Sequence, residues 1–275
     1  MVMDYLLSEF LLFLTYSFIG WVCEVIYCSV PSKKFINRGF LRGPYCPIYG
    51  FGAIAVINIL TPFSEKPILV YVLAVIITSL LEYVTGYLLE RVYHLKWWDY
   101  SNYKFNIHGK VVLHNSLIFG ALSLIAIYFL NPILLNTISK LPLRVLHVIS
   151  LVLLSVFLID NIISTLNTLK LSANLSKLHL IADEIKEKTS EKLFVKSKSI
   201  QSEKERSQIW ALTNKIDALN QKFNSISKQH KKTAKRIFAA FPNITSKLYA
   251  ETLMHLKVEN EHKQENKKNF DNIAE

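Results

Sequence analysis

The sequence predicts an all-α, polytopic membrane protein: a bundle of about five transmembrane helices followed by a basic, helical, coiled-coil-like tail. Three observations predict it. Residues 1–169 are almost wholly apolar, whereas residues 170–275 are mostly polar and charged, so the two parts face different solvents. The apolar part contains five runs long enough to cross about 30 Å of hydrocarbon at about 1.5 Å per residue. The polar part carries a heptad seam.

The spans are expected at about 5–30, 45–60, 68–89, 111–130 and 143–166, giving a transmembrane bundle over 1–166 and a tail over 167–275. The chain opens Met-Val-Met-Asp, without the basic leader of a signal peptide and without a small-residue cleavage site, so the first run is expected to stay as a helix. Of the 32 Lys and Arg, 11 precede position 170 and 21 lie from Lys170 onward, against 8 and 13 acidic residues, so net charge divides +3 and +8. That excess suits anionic lipid headgroups; no basic motif for nucleic acid accompanies it. Cys23, Cys28 and Cys46 make no Cys-x-x-Cys spacing and indicate neither a disulfide framework nor a zinc site.

Charge orients the loops. The first connection holds Lys33, Lys34, Arg38 and Arg42, and the third Arg91, Lys96, Lys104 and Lys110. The second has Lys66, and the fourth Lys140 and Arg144. Positive charge marks the first and third as cytoplasmic, which with five spans puts the N-terminus outside and the tail in the cytoplasm of a cell-membrane protein.

The first connection, 35–50, mixes Gly39, Gly43, Pro44, Pro47 and Gly50 with aromatics. Two readings stand: a loop that packs on or dips into the bundle, since irregular backbone at membrane depth must be buried in protein or face water, or an ordinary tight turn. The third connection contains Trp97-Trp98-Asp99-Tyr100-Ser101, the composition of an interfacial anchor, with Asp99 and Ser101 suited to capping a short helix.

In the tail, Ile209, Leu212, Ile216, Leu219, Phe223 and Ile226 recur at 3, 4, 3, 4, 3 and form an a/d seam. Leu171, Leu175, Leu178, Ile181 and Ile185 are similarly spaced; the two stripes fold back as a hairpin or pair between protomers. Residues 186–206 read as solvated helix or linker. The segment Arg236-Ile-Phe-Ala-Ala-Phe-Pro242, followed by Leu248, Leu253 and Leu256, reads as a helix broken at the proline and resumed. Residues 261–275 are expected to be disordered.

An ionisable side chain near the centre of a span costs at least about 2.5 kcal/mol, so intramembrane acids are the first candidates for function. Glu24, Glu82 and Asp160 each fall about 12–15 Å inside the cytoplasmic end of their spans and are expected to share one layer. His114 and Asn115 enter the fourth span from the same side. The functional reading is a polar cavity open to the cytoplasm, in which the acids bind a cation, a proton or the positive end of a substrate, with Arg38 or Arg42 as counter-charge. The structural reading is an ion-pair layer that fixes helix register, or protonated carboxyls. Glu82, Gly86 and Glu90 lie along one helix face, where Gly86 would admit a neighbouring helix; Gly20, Trp21 and Glu24 make a comparable patch.

Enzyme signatures are absent: the only Gly-Lys, Gly109-Lys110, has neither the preceding Gly nor the following Ser or Thr of a phosphate loop, and there is no Gly-x-Ser-x-Gly or His-Glu-x-x-His. No catalysis, metal or cofactor is expected.

The blocks Gly20-Trp21-x-x-Glu24, Asn37-Arg38-Gly39-Phe40-Leu41-x-Gly43-Pro44-x-x-Pro47-Ile48-Tyr49-Gly50, Glu82-Tyr83-x-x-Gly86 and Trp98-Asp99-Tyr100-Ser101, with Asn106 and Gly109, resemble the type IV ABC-transporter permease family of CmpB-like membrane proteins. The resemblance covers about the first 165 residues, and the Ile-Phe-Ala-Ala-Phe-Pro stretch of the tail is similar to that of longer bacterial members. It implies a permease-like subunit that needs a separate nucleotide-binding partner and assembles as a homodimer; it carries over no catalytic or substrate residues. The alternative is a membrane scaffold or regulator whose coiled-coil tail recruits cytoplasmic partners. An intramembrane enzyme acting on lipid headgroups, using the acids with His114 and the loop arginines, has no motif behind it.

Overall fold

The computed structural model describes residues 2–33, 35–197, 203–229 and 231–257. The terminal stretch 261–275 lies outside the described residues. In order, the elements are α1 (Val2–Ser32), α2 (Pro47–Leu60) with a 3-10 turn (Thr61–Phe63), α3 (Pro67–Tyr93), a short antiparallel hairpin of β1 (Asn106–Ile107) and β2 (Val111–Val112), α4 (Leu113–Ile125), a π turn (Ala126–Leu130), α5 (Asn131–Ser139), α6 (Leu143–Ser197), α7 (Glu203–Gln229) and α8 (Lys231–Ala240). A further helix covers 250–257. The fold is an all-α helical bundle, and the chain divides into two compact units: Met1–Leu166 with Ala239–Ile244, and Asn167–Phe238 with Thr245–Glu275.

Among the described residues, four helices are long and apolar enough to cross a membrane: Val2–Ser32, Pro67–Tyr93, Leu113–Ser139 and Leu143–Ser197. The second expected span is realised as a shorter apolar helix, Pro47–Phe63. Its 14 α-helical residues rise only about 21 Å. Pro47 opens it, and Pro62 with the polar turn Ser64-Glu65-Lys66 closes it, so the chain has no apolar residues with which to extend it.

In the first unit α1 packs on α2, α2 on α3 and α3 on α4, with α5 returning to α1. The outside is greasier than the inside. Ile76, Leu80, Val84 and Leu88 form an exposed stripe along α3, while Ser17, Ser116, Ser123, Ser150 and Ser164 are buried. This is the pattern of helices that associate in lipid, where small residues let backbones approach and apolar chains gain nothing by being hidden from hydrocarbon. The Ser79 hydroxyl donates to Ser116 Oγ at 2.8 Å, joining α3 to α4. A core of Leu12, Tyr16, Val56, Leu60, Val70 and Ala74 fills the middle.

The second unit buries the stripe Leu171, Leu175, Leu178 and Ile181 of α6, together with Ala234, Ile237 and Phe238 of α8 and Leu253 and Leu256 of the 250–257 helix. Lys186 pairs with Glu251, and the His179 and Tyr249 rings meet at 5.6 Å. The α7 seam from Ile209 to Ile226 is half-buried throughout. Lys215 pairs with Glu184 at 3.3 Å and the Phe223 ring meets His255 at 5.5 Å. The α6 stripe continues directly from the fifth expected span, because α6 runs 55 residues without a break.

Candidate functional site

Two helix faces and two loops build the site. On α1, Gly20 and Glu24 are one turn apart. A Cβ on Gly20 would stand 2.2 Å from Tyr49 Cγ, so the glycine is what lets the Tyr49 ring, carried by the first turn of α2, lie flat against α1. The ring then points its hydroxyl at Glu24, donating to Oε1 at 2.7 Å. Glu24 Oε2 pairs with Arg38 Nε at 3.5 Å.

Arg38 belongs to the connection 33–46, which folds onto the bundle. Trp21 Nε1 donates to Asn37 Oδ1 at 2.8 Å, and the Cys46 amide to the Ser17 carbonyl at 2.9 Å. Leu41, Tyr45 and Cys46 are buried. The loop's far side is held by Asp160 of α6, which accepts the amides of Arg42 at 3.0 Å and Gly43 at 2.8 Å, the Tyr45 hydroxyl at 2.9 Å and the Ser164 hydroxyl at 3.0 Å. Asp160 therefore anchors backbone, and Arg42, exposed, contributes its amide to that anchor.

On α3, the face bearing Glu82, Gly86 and Glu90 receives the loop 94–112 and not a helix. Gly86 faces Trp98, whose Cζ2 would lie 3.2 Å from a Cβ there. Trp98 Nε1 donates to the Lys110 carbonyl at 2.8 Å, and the Lys110 ammonium pairs with Glu90. Gly109 takes φ +69°, a left-handed conformation favouring glycine, and its carbonyl accepts the Tyr100 amide at 2.8 Å. The Tyr100 side chain is thereby placed near Glu82. Asn115 Nδ2 donates to the Tyr100 hydroxyl at 3.0 Å. Burial, reinforced by the charges of Glu82 and Glu24, pushes the Tyr100 phenol up and keeps it a donor. Glu82 is 6% exposed, and its Oε2 has no hydrogen-bond partner among the described residues.

Of the sequence-derived candidates, Glu24, Glu82, Arg38 and Asn115 come together around Tyr49 and Tyr100. Glu24 and Glu82 are close enough to interact electrostatically. Asp160 and Arg42 serve the loop, and His114 is exposed. Of the segment expected to anchor at the interface, Trp98 and Tyr100 are half-buried, whereas Trp97 is 4% exposed and packs edge-on against Phe40 at 5.3 Å and Phe241 at 4.8 Å. An amphipathic ring belongs at the lipid surface only when no protein pocket takes it. Among the described residues no three His, Cys, Asp or Glu converge as a metal site.

The tail supplies a partner that sequence reasoning missed. Ala239–Ile244 belongs to the first unit. Arg38 Nη1 donates to the Ala240 carbonyl at 2.5 Å, and its guanidinium lies 5.2 Å from the centre of the Phe241 ring. Arg38 thus joins Glu24 to the Phe241 segment. Tyr49 and Tyr45 were also missed as donors. Their signal was available: a buried acid needs donors, and Gly20 one turn from Glu24 marks a close approach by something flat.

A family model described as "Putative ABC-transporter type IV" matches residues 11–165, more than half of the chain. The chain belongs to this family. It is therefore a multi-pass membrane protein of a transport-related family. No curated protein and no solved structure matches it. The type IV ABC-transporter match takes in Glu24, Arg38, Arg42, Glu82, His114, Asn115 and Asp160, and ends well before the Phe241 segment.

Proposed function

We propose that this member of the type IV ABC-transporter family is a permease-like subunit in which the Glu24–Glu82 pair accepts a proton, a cation or the positive end of a substrate. The observation that carries the reading is Glu82: nearly sealed, beside a second carboxylate, with one oxygen unpartnered among the described residues. Such an arrangement favours taking up positive charge, because burial and a like charge both disfavour a second anion. Arg38 and Tyr49 hold Glu24 as a satisfied anion, leaving Glu82 as the group that loads. The positive charge on the 33–46 and 94–112 loops supports placing them, and the tail, in the cytoplasm, with the N-terminus outside. The chain is not itself an enzyme in this reading; it works as a homodimer with a separate nucleotide-binding subunit.

Two measurements test this. A pull-down from native membranes is expected to recover an ATPase. Glu82→Gln is expected to abolish proton or substrate coupling at normal expression; coupling identical to wild type in that variant rejects the role of the pair.

A second reading has its own observation. The α7 seam remains half-exposed along its whole length and Trp210 beside it is 69% exposed, a surface suited to another helix. In this reading the chain is a membrane scaffold or regulator whose tail recruits a cytoplasmic partner. Full activity from the isolated tail would select it over the permease.

A further inference from the structure

The positive charge of the tail is concentrated in one stretch. Residues 218–250 carry seven Lys and Arg and no acid, whereas the rest of the chain from Lys170 onward mixes 14 Lys and Arg with 13 acids. Nearly all of the tail's net +8 therefore lies in this run. Four of its cations, Lys231, Lys232, Lys235 and Arg236, fall within the ten residues of α8. At about 100° per residue these four positions share one arc of about 140°, and Ala239 lies on the same arc. Ala234, Ile237 and Phe238 take the other side of the helix and are buried, while Lys235 and Ala239 are exposed. The apolar side of α8 is thus already covered by protein, and what remains to be met is charge. The tail acids Glu184, Glu191 and Glu251 pair with Lys215, Lys188 and Lys186, all outside the run.

The end of α8 fixes where that charge is held. Ala239–Ile244 belongs to the membrane unit. There the Phe241 ring packs on Trp97 at 4.8 Å and lies 5.2 Å from the Arg38 guanidinium, and the Ala240 carbonyl accepts Arg38 Nη1. A ten-residue helix is about 15 Å long, so even Lys231 is tethered within about that distance of the membrane unit. Lipid headgroups are the anions that a bilayer keeps at such a place, and they attract each Lys or Arg that comes within a Debye length of about 8 Å. A soluble polyanion would have to compete for the same cations against lipid that is always beside them.

We propose that the cationic face of α8 is a docking surface for anionic phospholipid headgroups, held at the bilayer by the seating of Phe241 in the membrane unit. The surface does not depend on the role of the Glu24–Glu82 pair. A photo-crosslinker at the exposed position within the arc, Ala239→p-benzoylphenylalanine, reads it in the full chain. The protein is placed in nanodiscs of equimolar phosphatidylglycerol and phosphatidylcholine, which present the same lipid on both faces, so the result does not depend on which face is cytoplasmic. After irradiation the lipid adducts are identified by mass spectrometry. Phosphatidylglycerol is expected to be captured at least about fivefold more often than phosphatidylcholine, a preference that falls to parity in about 1 M salt. Lys231→Gln, Lys232→Gln, Lys235→Gln and Arg236→Gln together abolish it, whereas the same charge removed at Lys192, Lys196, Lys204 and Arg206 leaves it unchanged. Should the fourfold α8 variant fail to fold, Lys235→Gln alone is expected to lower the ratio at least about twofold. Equal capture of the two lipids before any charge is removed, an unchanged ratio in the α8 variants, an equal loss in both fourfold variants, or adducts to protein in place of lipid would each overturn the proposal. Displacement of the lipid adducts by single-stranded DNA at about 10 μM would overturn it too, assigning the surface to soluble polyanions.

Discussion

Glu24 shows how one side chain organises its surroundings. A carboxylate inside a span is tolerated where donors and a counter-charge replace water, and Tyr49 and Arg38 do so. Removing the phenol leaves the anion short of one charge-assisted bond. Tyr49→Phe is expected to lower stability by about 1–2 kcal/mol, read from thermal unfolding in detergent; an unchanged midpoint would show that the bond contributes nothing. Asp99 offers a pH test outside the membrane. Burial pushes its carboxyl up, but the Ser101 hydroxyl, the Ser101 amide and Lys96 together outweigh burial and hold it below the usual range. The folded state thus favours the anion, so the contribution is present above the unfolded value of about 3.9 and is lost as pH falls through the folded one. Asp99→Asn is expected to cost about 1 kcal/mol at pH 7, a cost that shrinks as pH falls below about 3.9, measured as the difference in unfolding midpoint across that range.

At the scale of elements, two glycines of the short helix pairing have opposite roles. A Cβ at Gly20 would strike the Tyr49 ring, whereas one at Gly52 would meet only Leu81 Cδ2 at 3.6 Å, an ordinary contact. Gly20→Ala is therefore expected to destabilise by about 1–3 kcal/mol through overpacking, and Gly52→Ala to be neutral or stabilising by up to about 1 kcal/mol through helix propensity. Equal effects in denaturant titrations would refute the close-approach account. The loop 94–112 makes a related point. Its acidic, glycine and tryptophan positions close a hairpin on themselves: Asp99 takes the Ser101 amide at 3.0 Å, and Asn106 Oδ1 takes the Gly109 amide at 2.9 Å. What the loop presents to α3 is a preformed surface, with Trp98 against Gly86 and Tyr100 near Glu82.

For the molecule as a whole, the telling feature is that a tail segment belongs to the membrane unit. Arg38 contacts Glu24 on one side and the Phe241 segment on the other. A double-mutant cycle between Arg38→Ala and Phe241→Ala is expected to give a coupling of about 1 kcal/mol in thermal unfolding; strict additivity would mean that the ring and the guanidinium act independently. The all-α membrane character was legible in the sequence because apolar run length and the break in composition are local quantities, and lipid imposes helix on any apolar run that must satisfy its own backbone. The intramembrane acids were legible for the same reason: an isolated Glu in a run of Leu, Ile and Val stands out. Their partners were not. Tyr49 meeting Glu24, Asp160 gathering the amides of Arg42 and Gly43, and Trp97 packing on Phe241 join residues from 25 to 144 positions apart, and a hydrogen bond or ring contact over that separation depends on how helices are stacked and loops are folded back. Composition alone determined which segments live in lipid and which side chains are costly there; the tertiary structure alone decided which donors meet that cost, because satisfying a buried charge is a matter of position in space.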